Sequence, residues 1–170
     1  MGTSHPETKP FVLEKALRNK VKTIIDVGAG LGTYSDYFRR KNYRPIIDAV
    51  EVWEPYIVEF KLRNKYRKVY HEDVRNFSKF NHDLVIFGDV LEHMTPDEAF
   101  DVWMKASKGC KYGVICIPII HYHQDAINGN PYEVHVKDDW DHDQVMQTFP
   151  YVVDSFLGDV TGAYWAKFDV

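Results

Sequence analysis

The stretch TIIDVGAGLGTYSDYF, residues 23–38, decides the fold. An apolar, β-branched run ends in glycines at every second position, Gly28, Gly30 and Gly32, with Asp26 just ahead of them and a helical pattern from Thr33. A strand that passes into a helix through close-set glycines brings bare backbone against a ligand. Two phosphate-binding loops share that outline, and both fail on spacing. The dinucleotide fingerprint needs its third glycine where Thr33 stands, and a P-loop needs a lysine that Thr33-Tyr34 does not supply. Asp26 adds a carboxylate that repels a pyrophosphate and suits a ligand carrying an ammonium group.

Working outward, strand-like and helix-like patterns alternate along the chain, as in a parallel sheet covered by helices. KPFVLEKALRNK (9–20) reads as a short amphipathic helix before the first strand, TIIDVG (23–28), and a second helix runs from about Thr33 to Lys41. PIIDAVEV (45–52) is a second strand closed by Glu51. Residues 54–65 read as helix, RKVYH (67–71) as a third strand and HDLVIFGD (82–89) as a fourth. TPDEAFDVWMKAS (95–107) opens with Thr95 as N-cap, Pro96 in the first turn and Glu98 completing a capping box. YGVICIPI (112–119) is a fifth strand and WDHDQVMQTF (140–149) a further helix. YVVDSFLG (151–158) and AYWAKF (163–168) are joined by so short a link that they pair antiparallel. The expected fold is a three-layer α/β/α sandwich: a seven-stranded, mostly parallel sheet that closes in an antiparallel hairpin.

The order D-x-G-x-G-x-G after a first strand resembles motif I of the class I S-adenosylmethionine-dependent methyltransferases, a Rossmann-like family. Three further segments match it: Glu51 ends the second strand, EDV (72–74) follows the third and DVLEH (89–93) follows the fourth. The resemblance covers roughly residues 9–170 and implies S-adenosylmethionine as cofactor and S-adenosylhomocysteine as product. It implies that the Gly28-Ala29-Gly30 to Gly32 backbone lies against the amino acid part of the cofactor with Asp26 nearby. Glu51 then takes the ribose hydroxyls, with Val52 next to it, and Asp73 and the Val74 backbone read the adenine edge. Glu72 takes the acidic role if the third strand ends one residue earlier. Trp53 either covers the adenine face or belongs to the core, and Asp89 lines the cofactor pocket.

On the acceptor side, the C-terminal edge of the sheet is dense in polar groups: Asp89, Glu92 and His93 after the fourth strand, and His121, His123, Glu133 and His135 after the fifth. Methyl transfer needs an acceptor aligned with the methyl group and, for a hydroxyl, relieved of its proton. His93 and His135 are the candidate general bases, with Asp89 beside them, because an imidazole titrates near neutral pH. Asp89, Glu92 and His93 are spaced i, i+3, i+4, which puts them on one face of a helical turn. This D-x-x-E-H pattern resembles the metal-supporting segment of ubiquinone-biosynthesis O-methyltransferases. It is also similar to E-x-x-E-H in small-RNA 3′-terminal 2′-O-methyltransferases, where a later histidine ahead of a tryptophan completes the site; His135 before Trp140 is the counterpart. A divalent cation on Asp89, Glu92, His93 and His135 is thus an alternative to the metal-free site, which is the expectation. The polar segment 121–140 is the candidate acceptor-binding loop, its Asn-Gly-Asn-Pro centre being turn chemistry. SHPETKPF (4–11), with Pro6 and Pro10, is expected to take an extended path over the cofactor.

Composition bounds the rest. The chain has 170 residues, 21 basic and 25 acidic, and a net charge of -4, which gives no broad nucleic-acid footprint. The cluster Arg39, Arg40, Lys41 and Arg44 reads as a solvated helix end. Two cysteines without metal spacing point to a reducing compartment. No apolar run approaches the ~20 residues that span a bilayer, and no leader pattern opens the chain, so one cytoplasmic domain over 1–170 without membrane contact is expected. The sequence names no acceptor, whether small molecule, sugar, protein or nucleic acid, and no oligomeric state. The rival functions are a catalytically silent cofactor-binding module and a nicotinamide-dependent oxidoreductase.

Overall fold

A computed structural model describes residues 5–168. Seven strands form one sheet: β1 (Thr23–Val27), β2 (Ile46–Glu51), β3 (Lys68–His71), β4 (Leu84–Gly88), β5 (Tyr112–Pro118), β6 (Val152–Leu157) and β7 (Thr161–Lys167). Their spatial order is β3-β2-β1-β4-β5-β7-β6; the first five pair in parallel, and β7 is antiparallel to both β5 and β6. The chain moves outward from β1 to β3, then returns to β4 on the other side of β1. The C-terminal ends of β1 and β4 therefore flank the switch point, where open α/β sheets leave a crevice.

Period-two alternation along the strands divides the apolar side chains between two cores. Ile25, Val27, Val85, Phe87, Ile115, Ile117 and Tyr164 face one cluster, built around Trp103 and Phe149 of the layer that carries α5 (Pro96–Ser107) and α6 (His142–Thr148). Ile24, Leu84, Ile86, Val114, Cys116 and Trp165 face the other, which α1 (Lys9–Arg18), α2 (Thr33–Arg40), α3 (Glu54–Glu59) and α4 (Leu62–Lys65) cover. This is the expected three-layer arrangement. No helix of the described residues is long and apolar enough to cross a membrane.

Helix α5 starts where the capping box places it: the Glu98 amide donates to Thr95 Oγ1 at 3.3 Å, and the Thr95 amide donates to Glu98 Oε2 at 2.9 Å. The expected single helix over 54–65 is instead two short ones, because Lys61 adopts a left-handed φ of 51° between them. The N-terminal segment also differs from its expected extended path. Ser4 lies outside the described residues, and Pro6–Thr8 form a 3-10 turn that leads into α1, with Pro6 and Pro10 at first-turn positions where a missing N–H costs nothing. Glu7 anchors this arm to the β6–β7 turn. Its carboxylate accepts from the amides of Asp159 (3.1 Å), Val160 (3.1 Å) and Thr161 (2.7 Å) and from the Thr161 hydroxyl (2.8 Å).

Candidate active site

The glycine loop after β1 is held in left-handed conformations, with φ of 64° at Gly28, 50° at Gly30 and 75° at Gly32. A Cβ on Gly28 would stand 2.5 Å from Val90 Cγ2, so both conformation and space require glycine there. The loop is tied to the neighbouring strand: the Gly28 amide donates to the Val50 carbonyl at 2.9 Å. Glu51, buried at the end of β2, accepts from the Gly30 amide through Oε2 and from the Trp53 amide through Oε1, each at 2.9 Å. Burial nevertheless raises its pKa, because desolvation outweighs those two amides.

A cavity opens at this switch point, lined by Gly28, Gly30, Glu51, Val52, Glu72, Asp73, Val74, Asp89 and His93 among the residues expected from the sequence. Ala29, Gly32, Trp53 and Asp26 do not line it. Asp26 shares the strand face of Ile24, so its side chain enters the helix layer of α1, α2 and α4. There it is 2% exposed and accepts from the Tyr66 hydroxyl at 2.6 Å. Burial pushes Asp26 up to about 7, against the Tyr66 hydrogen bond and the Lys9 cation. Trp53 packs 6.3 Å from the Tyr132 ring. The Asp73 carboxylate is held by Arg75, whose Nη2 is 2.6 Å away, and Arg75 bridges on to Glu98. Burial raises the Asp73 pKa, but the Arg75 guanidinium and amide outweigh it and hold the group low.

A second cavity adjoins the first and shares Asp89, His93 and Glu133 with it; His5, Glu92, Tyr122, Gln124 and His135 complete most of its wall. Asp89 has a left-handed φ of 55°, an unusual conformation for a residue other than glycine. Its carboxylate accepts from the His5 amide at 3.0 Å. Burial raises the Asp89 pKa against that amide and Lys9. The 3-10 turn Leu91–His93 places Glu92 and His93 behind it. Burial lowers the pKa of both His93 and His135, more than neighbouring backbone carbonyls raise them. Both rings are therefore neutral at physiological pH.

Several residues here carry no motif that a single sequence reveals. His5 lines the second cavity from the arm that Glu7 anchors. Lys9, whose cation acts on both Asp26 and Asp89, is buried against the Tyr34 ring, 5.0 Å from its centroid. The 121–140 loop does more than expected, since Asn130, Tyr132 and Glu133 line the first cavity as well.

Solved structures share this fold. An S-adenosylmethionine-dependent methyltransferase from Clostridium acetobutylicum superposes with a TM-score of 0.73 at 12% identity, covering 98% of this chain and 92% of that one. The chain has the class I methyltransferase fold. The 1,6-didemethyltoxoflavin-N1-methyltransferase of Burkholderia thailandensis, crystallised with 1,6-didemethyltoxoflavin and S-adenosylhomocysteine, gives 0.68 at 16% identity over 96% of this chain and 79% of that one. The N-terminal domain of EvdMO1 with S-adenosylhomocysteine bound gives 0.68 at 10% identity over 98% and 83%. No protein-family model matches the chain, and no curated protein matches it in sequence. At such identities the methyltransferase fold is shared while side chains are free to differ, so function has to be argued from the two cavities.

Proposed function

We propose that this chain is an S-adenosylmethionine-dependent methyltransferase that moves the methyl group to an oxygen or nitrogen acceptor. The observation that carries the reading is the pair of adjoining cavities, which meet at Asp89, His93 and Glu133. One is walled by the glycine loop and Glu51, the other by polar groups from four separate segments.

The first cavity suits the cofactor on its own chemistry. Three left-handed glycines keep side chains out of the loop, and Glu51 presents a buried carboxylate, already positioned by two amides, to ribose hydroxyls. With Asp73 engaged by Arg75, reading of the adenine edge falls to the Val74 backbone. When bound, the cofactor supplies a sulfonium methyl that an acceptor lone pair displaces, the C–S electron pair returning to sulfur. The chain's part is to exclude water, align the acceptor and receive its proton. His93 lines both cavities beside Asp89 and Glu133, so the groups that could receive the proton stand together at the junction, and Asp89 accepts there from the His5 amide.

Calorimetry with S-adenosylhomocysteine, followed by radiolabelled methyl transfer from S-adenosylmethionine into a metabolite extract, tests the reading. Binding that is lost in Gly30→Val, together with labelled product, is the expected result. Binding without transfer to any acceptor would point to a silent module. A nicotinamide dinucleotide binding in place of S-adenosylhomocysteine would overturn the assignment.

A further inference from the structure

We propose that Glu92, His93 and His135 bind one divalent transition cation, which holds a hydroxyl oxygen of the acceptor at the boundary of the two cavities. The site itself is independent of the methyltransferase reading; only its role toward the acceptor rests on that reading.

Three observations converge on it. One ligand atom from each of Glu92, His93 and His135 lies within 4.8 Å of the other two. Glu92 is 1% exposed, and among the described residues neither of its carboxylate oxygens has a hydrogen-bond partner. A buried carboxylate without a donor is costly, and protonation would remove its charge but leave both oxygens unbonded. The imidazoles are oriented for the same point. His93 Nδ1 is 3.0 Å from the Val134 carbonyl and His135 Nδ1 is 2.6 Å from the Tyr122 carbonyl. A carbonyl can only accept, so each Nδ1 carries the proton and each Nε2 keeps its lone pair, as in a metal-binding histidine whose other ring nitrogen donates to a backbone carbonyl.

The cluster thus consists of three electron-pair donors, and no lysine or arginine among the described residues lines their cavity. The loop that brings His135 is fastened to the same turn, because the amides of Val136 and Lys137 donate to the Glu92 carbonyl at 2.9 and 3.0 Å. Zinc-ligand bonds of about 2.0–2.2 Å place ligand atoms within about 4.4 Å of one another, so small side-chain rotations close the site. Two imidazoles and one carboxylate favour Zn2+, Fe2+ or Co2+ over Mg2+ or Ca2+, which prefer oxygen ligands. Three protein ligands leave coordination positions open toward the second cavity. A hydroxyl bound there would be acidified, its proton leaving to Glu133 or Asp89 as its oxygen bonds to the methyl carbon.

The test uses chelator-stripped full-length protein titrated with Co2+, followed by visible absorption, and with Zn2+, followed by calorimetry. One equivalent per chain is expected, with affinity falling at least about tenfold in His135→Ala and in the near-isosteric Glu92→Gln. The double variant His121→Ala/His123→Ala, which removes the exposed imidazoles beside Asp138, should bind as wild type. Circular dichroism and S-adenosylhomocysteine binding check that each variant is folded. Unchanged affinity in folded Glu92→Gln and His135→Ala, or loss only in the His121/His123 variant, would overturn the site. Cation binding without cofactor binding would leave the site standing and reject the methyltransferase reading.

Discussion

The backbone amide of His5 donates to Asp89 Oδ2 across 84 positions of sequence, at 3.0 Å. This one bond joins the N-terminal arm to one of the three residues that both cavities share. His5 has a φ of -59°, which proline also adopts, so His5→Pro deletes the donor without forcing the local backbone. The variant should lose about 1 kcal/mol of stability, read by urea denaturation, and should bind S-adenosylhomocysteine as wild type. A loss of cofactor affinity equal to that of a glycine-loop variant would show that the arm belongs to the cofactor cavity instead.

Glu7 gives the same arm a pH dependence. Burial raises its pKa, but the hydrogen bonds from Thr161, Val160 and Asp159 outweigh that and bring it to about 2 from an ordinary 4.5. A depressed folded-state pKa means that the contribution is complete above about 4.5 and is lost as pH falls toward 2. Glu7→Gln should flatten the stability profile over that window and lower stability at pH 7 by about 1.5–3 kcal/mol, the usual worth of a hydrogen bond to a charged group. Hydrogen exchange of the 159–161 amides should rise in parallel.

The ribose contact proposed for Glu51 can be separated from its hold on the glycine loop by an isosteric change. Glu51→Gln keeps an acceptor for the Gly30 or Trp53 amide but removes the charge offered to the ribose. S-adenosylhomocysteine affinity should fall by about 1.5–3 kcal/mol, roughly 10- to 150-fold, measured by calorimetry. Unaltered affinity would sink the ribose assignment.

Asp26 titrates in the opposite sense to Glu7. Its folded pKa of about 7 stands above the ordinary 3.8, so the native state holds a proton that the unfolded state releases between those values. Stability therefore declines as pH rises from about 4 to about 7 and levels off above. Asp26→Asn should remove that limb and raise stability near pH 8, with about 4 kcal/mol as the ceiling at ~1.4 kcal/mol per unit. An unchanged profile would show that Lys9, rather than burial, governs the carboxyl.

How much of this was legible beforehand follows from the range of the forces involved. Strand and helix positions were readable because alternation and capping are local: the box at Thr95 and Glu98 acts over three residues. The spacing of Gly28, Gly30 and Gly32 excluded the phosphate loops for the same reason. The sequence by itself determined the layer order, the hairpin at the end and the edge of the sheet where ligands gather. It could not show that parity turns Asp26 away from the cavity, since that depends on which face of β1 meets α1. Nor could it bring the Lys9 cation to act on two buried carboxylates, or leave Glu92 without a donor among the described residues, close to His93 and His135. Those placements are decided by how segments tens of residues apart pack, because desolvation and hydrogen bonding act only on groups that tertiary structure has already brought together.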